Sequence, residues 1–592
     1  MTTRPVRVAN CSGWLHDRVS GLRDALAGPV DVVTGDYLAE PTLRQLARER
    51  GRDPGLGYAR SFLAQFRDAV DLVVAAGTKV VVDAGGLNPA GLADEVRKAG
   101  LDAGHRLSVA HVEGDDLLAR LDALQADGEP LSHLDTGAPL RSWGLTPRTA
   151  NAYLGAFGIT AALNAGADVV ICPRVTDASL TVGAAAWWHG WRPDDLDALA
   201  GAVVAGHVIE CGPQATGGNF SGFTTLADPR RPGYPIAEIA ADGSAVITKH
   251  DGTGGTVSTD TVTAQLVYEI QGPVYLNPDV AVHLDTVRLA QVGPDRVEVR
   301  GATGTPPPPT TKLALTAEGG FETSVSAYLT GLDVDAKYAL LRDHIEDLAG
   351  SLPLTRVRLD RIGVPAEDPP DQWAAAQQVV ITAQAPDRDA VGLSAFVQPV
   401  VSQILETYPG FYVSPVRAAQ QIEAYWPAVV PVSAIEHAVV LEDGSRLVIP
   451  PAPLTEPFTG QPPAPEPCGT DPVGDTVRIP LGRVTHARSG DKGPNSNVGF
   501  WCDERTWPWL RSALTTDLLR RLHPDAGGLR IERHELPALR VVHFVLRGAL
   551  DEGAGTNGRP DGAGKAVAEF LRARHVDVPV ELVPAEYRAA TR

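Results

Sequence analysis

Acidic residues follow several short apolar segments in the first third of the chain. Asp36 follows VDVVTG, Asp83 follows TKVVV, and Asp177 lies three residues beyond Arg174, which ends ADVVICPR. Glu210 follows another apolar segment, HVI. Carboxylates that lie together raise one another's pKa, so that one of them can act as a general acid. The same oxygens could hold a hard cation such as Mg²⁺, or each Asp could cap its own helix or form an Asx turn.

The acid–base hypothesis gives these residues separate roles. Glu210 and Asp177 are the candidate acid and base, and the forked guanidinium of Arg174 fits a substrate carboxylate. Backbone N–H groups of the glycine-rich segment 212–218 could hold an oxyanion or a phosphate. The other candidate substrate-binding residues in this part of the chain are Asn10, Ser12, Asp36, Asp83, Gln214, Gly217, Gly218 and Asn219.

Cys211 is a third catalytic candidate, in the segment GHVIECGPQATGGNFSGF at 206–223. A Cys nucleophile needs a base, and His207 is the nearest one in the sequence. If HVIEC is an extended strand, residues four apart are separated by about 13 Å, at roughly 3.3 Å per residue. Such a strand would also direct Glu210 to the opposite face. These distances favour Cys211 as a small buried hydrophobic residue and Glu210 as the acid–base group.

A second concentration of polar residues lies near the C-terminus, in THARSGDKGPNSNVGF at 485–500. Its candidate substrate-binding residues are Ser489, Asp491, Lys492 and Asn495. Asp491 and Lys492 could form only a solvated ion pair in a turn. Alternatively, this loop reaches the crevice of the main domain, or binds a carboxylate or phosphate group.

The nucleotide-binding motifs in the chain are incomplete. The first apolar segment is followed by NCSGWLHD, without the GxGxxG of a dinucleotide site. GRPDGAGKAV at 558–567 has the wrong spacing for a phosphate loop, and Ala follows its Lys where Ser or Thr would bind Mg²⁺. Its backbone N–H groups could still face an anion. The cofactor therefore stays unknown, and the leading hypothesis includes no metal.

Short apolar segments that alternate with helical patterns must position these residues. Six such segments occur, at 6–10, 30–36, 78–86, 107–114, 167–174 and 207–211. This alternation predicts an α/β fold with a doubly wound, mainly parallel, Rossmann-like sheet. Ligands bind beyond the carboxyl ends of such strands, where the candidate residues lie. Asn88-Pro89 is a predicted helix start, and Thr176 or Asp177 is a predicted cap for another helix.

The remaining chain has a different character. Residues 1–225 form the predicted parallel α/β domain, and 226–449 form an α+β region that completes or elaborates it. Residues 450–475 are rich in proline and predict a semi-rigid linker. The final segment, 476–592, predicts a small α+β domain.

Composition excludes several classes of partner. The chain has 592 residues and a net charge of −20, which argues against a nucleic acid or an anionic membrane as partner. The N-terminal sequence has no signal pattern and no apolar run approaches about 18 residues, so we expect a cytoplasmic protein. Five scattered cysteines argue against a disulfide framework. Large α/β enzymes are often symmetric, so we expect a homo-oligomer.

Taken in order, the motifs resemble the acyclic terpene utilisation protein A family. They are VANCSGWLHDR, TGDYLAE, VVDAGGLNP, ICPRVTDASL and HVIECGPQATGGNFSGF, followed by SGDKGPNSNVGF and DGAGK in the tail. The resemblance covers nearly the whole chain and implies a ferredoxin-like C-terminal domain. It also implies a role in the catabolism of acyclic isoprenoids through branched acyl-CoA thioesters, by a lyase or hydratase step. It marks the motif positions, including 561–565, without giving any residue a role.

The leading hypothesis is therefore a non-redox enzyme for a branched acyl or acyl-CoA substrate. It would add or eliminate water, or cleave a carbon–carbon bond beside a carbonyl group. One alternative is a metal-dependent hydrolase with Asp36, Asp83 and Asp177 as ligands. Others are a non-catalytic subunit of an acyl-CoA-processing complex and a natural-product biosynthetic enzyme on the same scaffold.

Overall fold

The structure is a computed structural model that describes residues 4–416, 418–462, 464, 467 and 474–588. Part of the predicted linker at 450–475, including Cys468, lies outside the described residues. The domain boundaries at 225, 449 and 475 stay a prediction.

Strands and helices alternate in the first 209 residues. The strands are β1 (Val6–Asn10), β2 (Val32–Gly35), β3 (Lys79–Val82), β4 (Val109–Glu113), β5 (Pro147–Ala152) and β6 (Val169–Ile171). The helices are α1 (Gly21–Ala25), α2 (Glu40–Arg52), α3 (Arg60–Ala76), α4 (Pro89–Asp102), α5 (Leu121–Ala126), α6 (Phe157–Asn164), α7 (Ser179–His189) and α8 (Leu196–Ile209). Five of the six predicted strands are therefore confirmed.

The sixth predicted strand, HVIEC at 207–211, is wrong. Residues 207–209 form the last turn of α8, and Glu210 is its C-cap. Every residue of this helix from Leu199 to Ile209 is buried. A helix that is apolar on all sides shows no 3.6-residue pattern, so a short part of it resembles a buried strand.

The middle of the chain is richer in strands. They are β7 (Pro235–Ile239), β8 (Ala245–Lys249), β9 (Val274–Leu276), β10 (Ala281–His283), β11 (Arg288–Gly293), β12 (Arg296–Arg300), β13 (Thr303–Thr305), β14 (Thr310–Thr330), β15 (Arg356–Ile362), β16 (Ala376–Ala385), β17 (Tyr412–Val413), β18 (Gln420–Pro431), β19 (Ala438–Val440) and β20 (Arg446–Val448). The helices are α9 (Thr259–Leu266), α10 (Val334–Gly350) and α11 (Gln398–Ser402).

The main sheet has eleven strands in the order β11-β12-β8-β7-β1-β2-β3-β6-β4-β19-β20. Strands β1, β2, β3, β6 and β4 are parallel to one another. Strands β7 and β19 join this block antiparallel, one on each side. The sheet is thus mixed, and the predicted Rossmann-like, doubly wound, mainly parallel sheet is not confirmed. The mixed α/β class is confirmed.

Helices cover both faces of the parallel block. Val80 and Val82 pack with α1, α3 and α4, whereas Val81 between them packs with α6, α7 and α8. This alternation follows from the two-residue repeat of a strand. Asn88 caps α4 as predicted and accepts a hydrogen bond from the Gly91 N–H at 3.0 Å. Neither Thr176 nor Asp177 caps α7, because its N-cap is Ala178.

A second sheet is built on the long strand β14. This strand pairs with β18, β16, β17 and β5. Its first residues, from Thr310, run beside the end of β18. Among the described residues, no helix combines the length and apolar character needed to cross a membrane.

The C-terminal region forms a separate core. Its strands are β21 (Thr476–Pro480), β22 (His486–Lys492), β23 (Asn495–Trp501), β24 (Ile531–Leu536), β25 (Val541–Leu546) and β26 (His575–Pro579). Its helices are α12 (Trp507–Ala513), α13 (Thr516–Leu522), α14 (Val567–Ala573) and α15 (Ala585–Arg588). The four-stranded sheet has the order β22-β23-β25-β24. Polar residues 489–497, predicted as one loop, lie instead on a hairpin whose turn is at 493–494.

Candidate functional site

The carboxyl ends of the parallel strands meet at one crevice, as the sequence predicts. Asn10 ends β1, Asp36 follows β2, and Asp83 follows β3. Asp177 follows β6, and Glu210 arrives from the end of α8. Carboxylate oxygens of Asp36, Asp177 and Glu210 lie within 4.8 Å of one another. Three elements thus bring three acidic side chains into one cluster.

Glu210 faces the histidine that precedes it by one helical turn. His207 Nδ1 lies 3.2 Å from Glu210 Oε1, because residues three apart share a helix face. The extended-strand interpretation, in which these side chains diverge, is therefore wrong. Both residues are more than nine-tenths buried. Burial and the nearby Asp177 raise the pKa of Glu210, although His207 and Lys492 oppose them.

Arg174 is the buried cation of this cluster. Its Nη1 lies 2.9 Å from Asp177 Oδ1 and 3.9 Å from Asp83 Oδ2, and it donates to the Leu38 carbonyl at 2.9 Å. Its guanidinium also lies 4.2 Å from the centre of the Tyr153 ring. These contacts engage the guanidinium with protein groups. Their geometry therefore suits a residue that holds Asp177 in position.

Asp36 and Asp83 lie close enough to share a proton. Asp83 is fully buried and accepts a hydrogen bond from the Tyr37 N–H at 2.7 Å. Burial raises the pKa of Asp83 to about 6, while Asp36 and Arg174 oppose the rise. The pKa of Asp36 is raised well above its ordinary value by burial and by the neighbouring Asp83 and Asp177. At neutral pH the pair therefore favours one proton between two carboxyl groups.

Asn10 and Ser12 support this crevice from the first strand. Both are buried, and the Asn10 side-chain amide donates to the Glu210 carbonyl at 3.0 Å. The Ser12 hydroxyl donates to the Trp14 carbonyl at 3.0 Å, and the Ser12 carbonyl accepts from the Asp36 N–H at 2.9 Å. Each of these contacts is internal to the protein.

Cys211 follows α8, and its thiol is in an acidic environment. Burial and the nearby Glu210, Glu269 and Asp36 raise its pKa well above the ordinary value. A reactive thiolate needs the opposite surroundings. The structure therefore favours the neutral thiol at this position.

The glycine-rich segment after Cys211 is held by the C-terminal domain. Arg488 donates to the Asn219 carbonyl at 2.7 Å and also to the Gln214 side chain. The N–H groups of Gly217 and Gly218 donate to carbonyls within the same turn, those of Gln214 and Pro213. Gly217 has φ of 107°, in the region that favours glycine. These N–H groups are already occupied, which leaves them a structural role.

Three of the four tail candidates bond to other protein groups. The Ser489 hydroxyl donates to the Gly564 carbonyl at 2.8 Å, and the Asn495 amide donates to Asp135 at 2.7 Å. Asp491 lies 3.0 Å from the Lys565 ammonium. Lys492 differs from these residues. Its backbone pairs with Asn495 in the hairpin, but its ammonium makes no hydrogen bond or ion pair with the described residues.

A cavity of about 1010 Å³ joins Asp177 to Lys492. Thr176 and Asp177 border it from the main sheet, and Lys492 borders it from the tail domain. Burial would lower the pKa of Lys492, but Tyr275, Asp177 and Glu269 raise it well above the ordinary value. The polar end of the cavity therefore places a protonated amine opposite a carboxylate. The tail hairpin reaches the crevice of the main domain.

Much of the remaining cavity wall is apolar. These residues come from the 274–278 segment, the strands β14 and β18 and the segments that flank them, and they include Val274, Leu276, Pro278, Pro308, Pro309, Pro427, Val429 and Phe458. Phe458 belongs to the predicted linker, and it lines the cavity together with other described linker residues, Pro457, Gly460, Gln461, Pro462 and Ala464. A volume near the upper end for ligand sites and an apolar wall suit a hydrocarbon chain.

Asp36, Asp177 and Glu210 are also the described residues that could hold a metal ion. Their ligand atoms are all oxygen, which suits a hard cation such as Mg²⁺. The buried Glu210 Oε2 has no hydrogen-bond partner among the described groups. The donor set thus fits a cation, although Arg174 already supplies positive charge at this point.

Several residues of the site were missed by the sequence analysis. Tyr275 and Glu269 lie in the region predicted only as α+β, and Lys312 is the third residue of the long strand β14. The rarity of lysine is a usable signal for two of the missed positions, Lys312 and Lys565. The chain has only seven lysines, and Lys312, Lys492 and Lys565 all lie at or beside the cavity.

Two family models match the chain. Residues 6–441 match the model described as acyclic terpene utilisation family protein AtuA. Residues 479–577 match the AtuA ferredoxin-like domain. A comparison with curated proteins gave no match. The predicted resemblance and the ferredoxin-like tail are thereby confirmed.

The Asp36–Asp83 pair gives a testable dependence of stability on pH. A carboxyl whose folded pKa is raised favours the folded state at low pH, and this contribution is lost as the pH rises through about 6. Asp83→Asn keeps an acceptor for Tyr37 and removes the buried charge. We expect the variant to exceed the wild type in stability at pH 8 by about 1–3 kcal/mol, at about 1.4 kcal/mol per pKa unit.

Urea denaturation of both proteins at pH 4.5 and pH 8 measures this difference. The advantage of Asp83→Asn should shrink at pH 4.5, where the wild-type pair is protonated. The shared proton is contradicted if the stability gain of Asp83→Asn over the wild type is equal at the two pH values. It is also contradicted if the variant is less stable than the wild type at pH 8.

Proposed function

Because the chain belongs to the AtuA family of acyclic terpene utilisation proteins, we propose that it is an enzyme that acts on a branched acyl substrate. The substrate is a free acid or a CoA thioester, and the reaction is a proton transfer beside its carbonyl group. The observation that carries this proposal is the cavity itself. Its polar end places Lys492 opposite Asp177, and its apolar wall accommodates a hydrocarbon chain.

Asp177 is the carboxylate that meets the substrate. It borders the cavity and is held at 2.9 Å by Arg174. Glu210 lies behind it, within 4.8 Å, in contact with His207. Burial and Asp177 raise the pKa of Glu210, which favours its protonated form relative to an exposed carboxyl group. Asp177 therefore removes the substrate proton, and Glu210 supplies or accepts protons from behind.

Lys492 stabilises the negative charge that develops on the carbonyl oxygen. Removal of a proton next to a carbonyl forms an enolate, whose oxygen needs a fixed donor or cation. The protonated amine of Lys492 is available for this purpose, and Tyr275 lies beside it in the cavity wall. The enolate can then expel a β-hydroxyl group, which takes the proton now held by Asp177 and leaves as water, so that the net reaction is that of a hydratase or lyase. In this scheme Arg174 positions Asp177, and Cys211 takes no chemical step.

Three isosteric or near-isosteric substitutions test the roles. Asp177→Asn, Glu210→Gln and Lys492→Met should each lower kcat/KM by roughly 10²–10⁴-fold, the usual worth of a general acid–base group or a charge-stabilising donor. The exposed residues Lys98 and Glu346 supply matched controls, Lys98→Met and Glu346→Gln, which should keep wild-type rates.

Steady-state kinetics on branched acyl-CoA substrates, with circular dichroism to verify folding, provides the measurement. Wild-type turnover in folded Asp177→Asn or Lys492→Met would refute the assignment. A purified wild-type protein that turns over substrate alone would also exclude a non-catalytic subunit.

A metal-dependent hydrolase is the second candidate, because Asp36, Asp177 and Glu210 form an all-oxygen donor set. Acid–base chemistry without a metal predicts that activity persists after dialysis against EDTA. It also predicts no saturable binding of Mg²⁺ or Mn²⁺ by calorimetry. Activity that EDTA abolishes and Mn²⁺ restores would favour the hydrolase, and Asp36→Asn should then weaken metal binding.

A further inference from the structure

A turn of the middle region is seated in the C-terminal domain. It follows α9 and comprises residues 267–270. The turn packs closely against Gly490 and Gly499 of the tail sheet. A Cβ at Gly490 would lie 2.6 Å from the Tyr268 ring, and one at Gly499 would lie 2.6 Å from the Val267 side chain. The Asn497 side chain donates to the Val267 carbonyl at 2.7 Å and accepts from the Glu269 N–H at 3.1 Å.

Glu269 holds an unusual position in this turn. Its φ of 55° lies in the left-handed region, which is uncommon for residues other than glycine. Its side chain borders the cavity that contains Lys492. Burial would raise the pKa of Glu269, but Lys565 and Lys492 together lower it. Two cations therefore compete for one carboxylate.

Lys565 is the lysine that contacts Glu269 directly. Its ammonium lies 2.8 Å from Glu269 Oε1 and 3.0 Å from Asp491 Oδ1, and it also donates to the Tyr268 hydroxyl. Its three donors thus meet three acceptors, the full capacity of an ammonium group. Lys492, by contrast, has no such contact among the described residues.

The DGAGK motif fixes the position of Lys565. Asp561 accepts hydrogen bonds from the N–H groups of Lys565 at 2.9 Å and Ala566 at 2.8 Å. Gly564 has φ of 61°, and a Cβ there would lie 2.7 Å from the Ser496 hydroxyl. Ser489 holds the same loop through the Gly564 carbonyl. Because these N–H groups are occupied by Asp561, the motif serves to direct the lysine rather than to hold a phosphate.

We propose that Lys565 is a positioning residue that keeps Lys492 free. By pairing with Glu269 and Asp491, it leaves the Lys492 ammonium to face Asp177 across the cavity. Without Lys565, a partly buried carboxylate would lack a partner, which is costly, and Lys492 is the cation near enough to replace it. This inference rests on the proposed function, in which Lys492 serves the substrate.

Chemical labelling of Lys492 tests the inference without any need for turnover. Acetylation by acetic anhydride is followed by peptide mass spectrometry, with exposed Lys98 as the internal reference. In Lys565→Met, the Lys492 amine should react about tenfold more slowly, because pairing with a carboxylate shifts a pKa by a unit or more. In the double variant Lys565→Met/Glu269→Gln, the rate should return towards that of the wild type.

Unchanged labelling in Lys565→Met, or a double variant as slow as the single one, overturns the proposal. If Lys565→Met fails to fold, Glu269→Gln alone gives the opposite test. Lys492 should then react at least as fast as in the wild type, and slower reaction contradicts the proposal. Glu346→Gln, at an exposed position, keeps the Lys98 reference and is the matched control, which should leave Lys492 labelling unchanged. If the labelling rates of the variants change as expected but the wild-type protein shows no turnover, the proposed function is rejected and the role of Lys565 stands.

Kinetics of the same variants supply a second readout. Lys565→Met should lower kcat, and the added Glu269→Gln should recover it. A purely structural role for Lys565 predicts the reverse, since removal of a second contact would then add to the damage.

Discussion

The buried ion pair between Arg174 and Asp177 is the contact on which the site depends. Carboxylates from several strand ends converge on one crevice, and their mutual repulsion would be severe without a cation. Arg174 supplies that charge from within the main domain, at 2.9 Å from Asp177. Burial and the neighbouring carboxyl groups raise the pKa values of Asp36 and Asp83, which favours one shared proton and so a smaller negative charge. Unequal environments of this kind separate the pKa values of neighbouring acidic groups, as acid–base chemistry requires.

The site is divided between two domains. The main sheet supplies the carboxylates, and the β22–β23 hairpin of the tail supplies Lys492. Glycines at 490 and 499 allow the 267–270 turn to approach the tail sheet closely, so the two domains are in direct contact at this turn. The two lysines of the tail have separate tasks. Lys565 pairs with the acidic groups of the interface, Glu269 and Asp491, and Lys492 faces the cavity. The 267–270 turn thus connects the packing of the two domains with the position of Lys492 at the cavity.

The sequence predicted the parts of the fold that repeat and missed those that depend on tertiary context. The five β-branched segments in the parallel block are strands, and Asn88-Pro89 does begin a helix. HVIEC was misassigned because α8 is buried on every side and has no amphipathic pattern. The antiparallel strands on both sides of the block come from distant segments, which local periodicity cannot place. The pairing of Glu269 with Lys565 was beyond reach for the same reason, since these residues meet only when the two domains pack.

A crystal structure with a bound branched acyl probe shows directly whether substrate lies between Lys492 and Asp177. Citronellate, soaked or co-crystallised with the intact chain, is such a probe. We expect its carboxylate within hydrogen-bonding distance of Lys492 Nζ, its α-carbon towards Asp177, and its chain along Leu276 and Phe458. A probe bound outside this cavity, or inside it with the carboxylate turned away from Lys492, would contradict the proposed function.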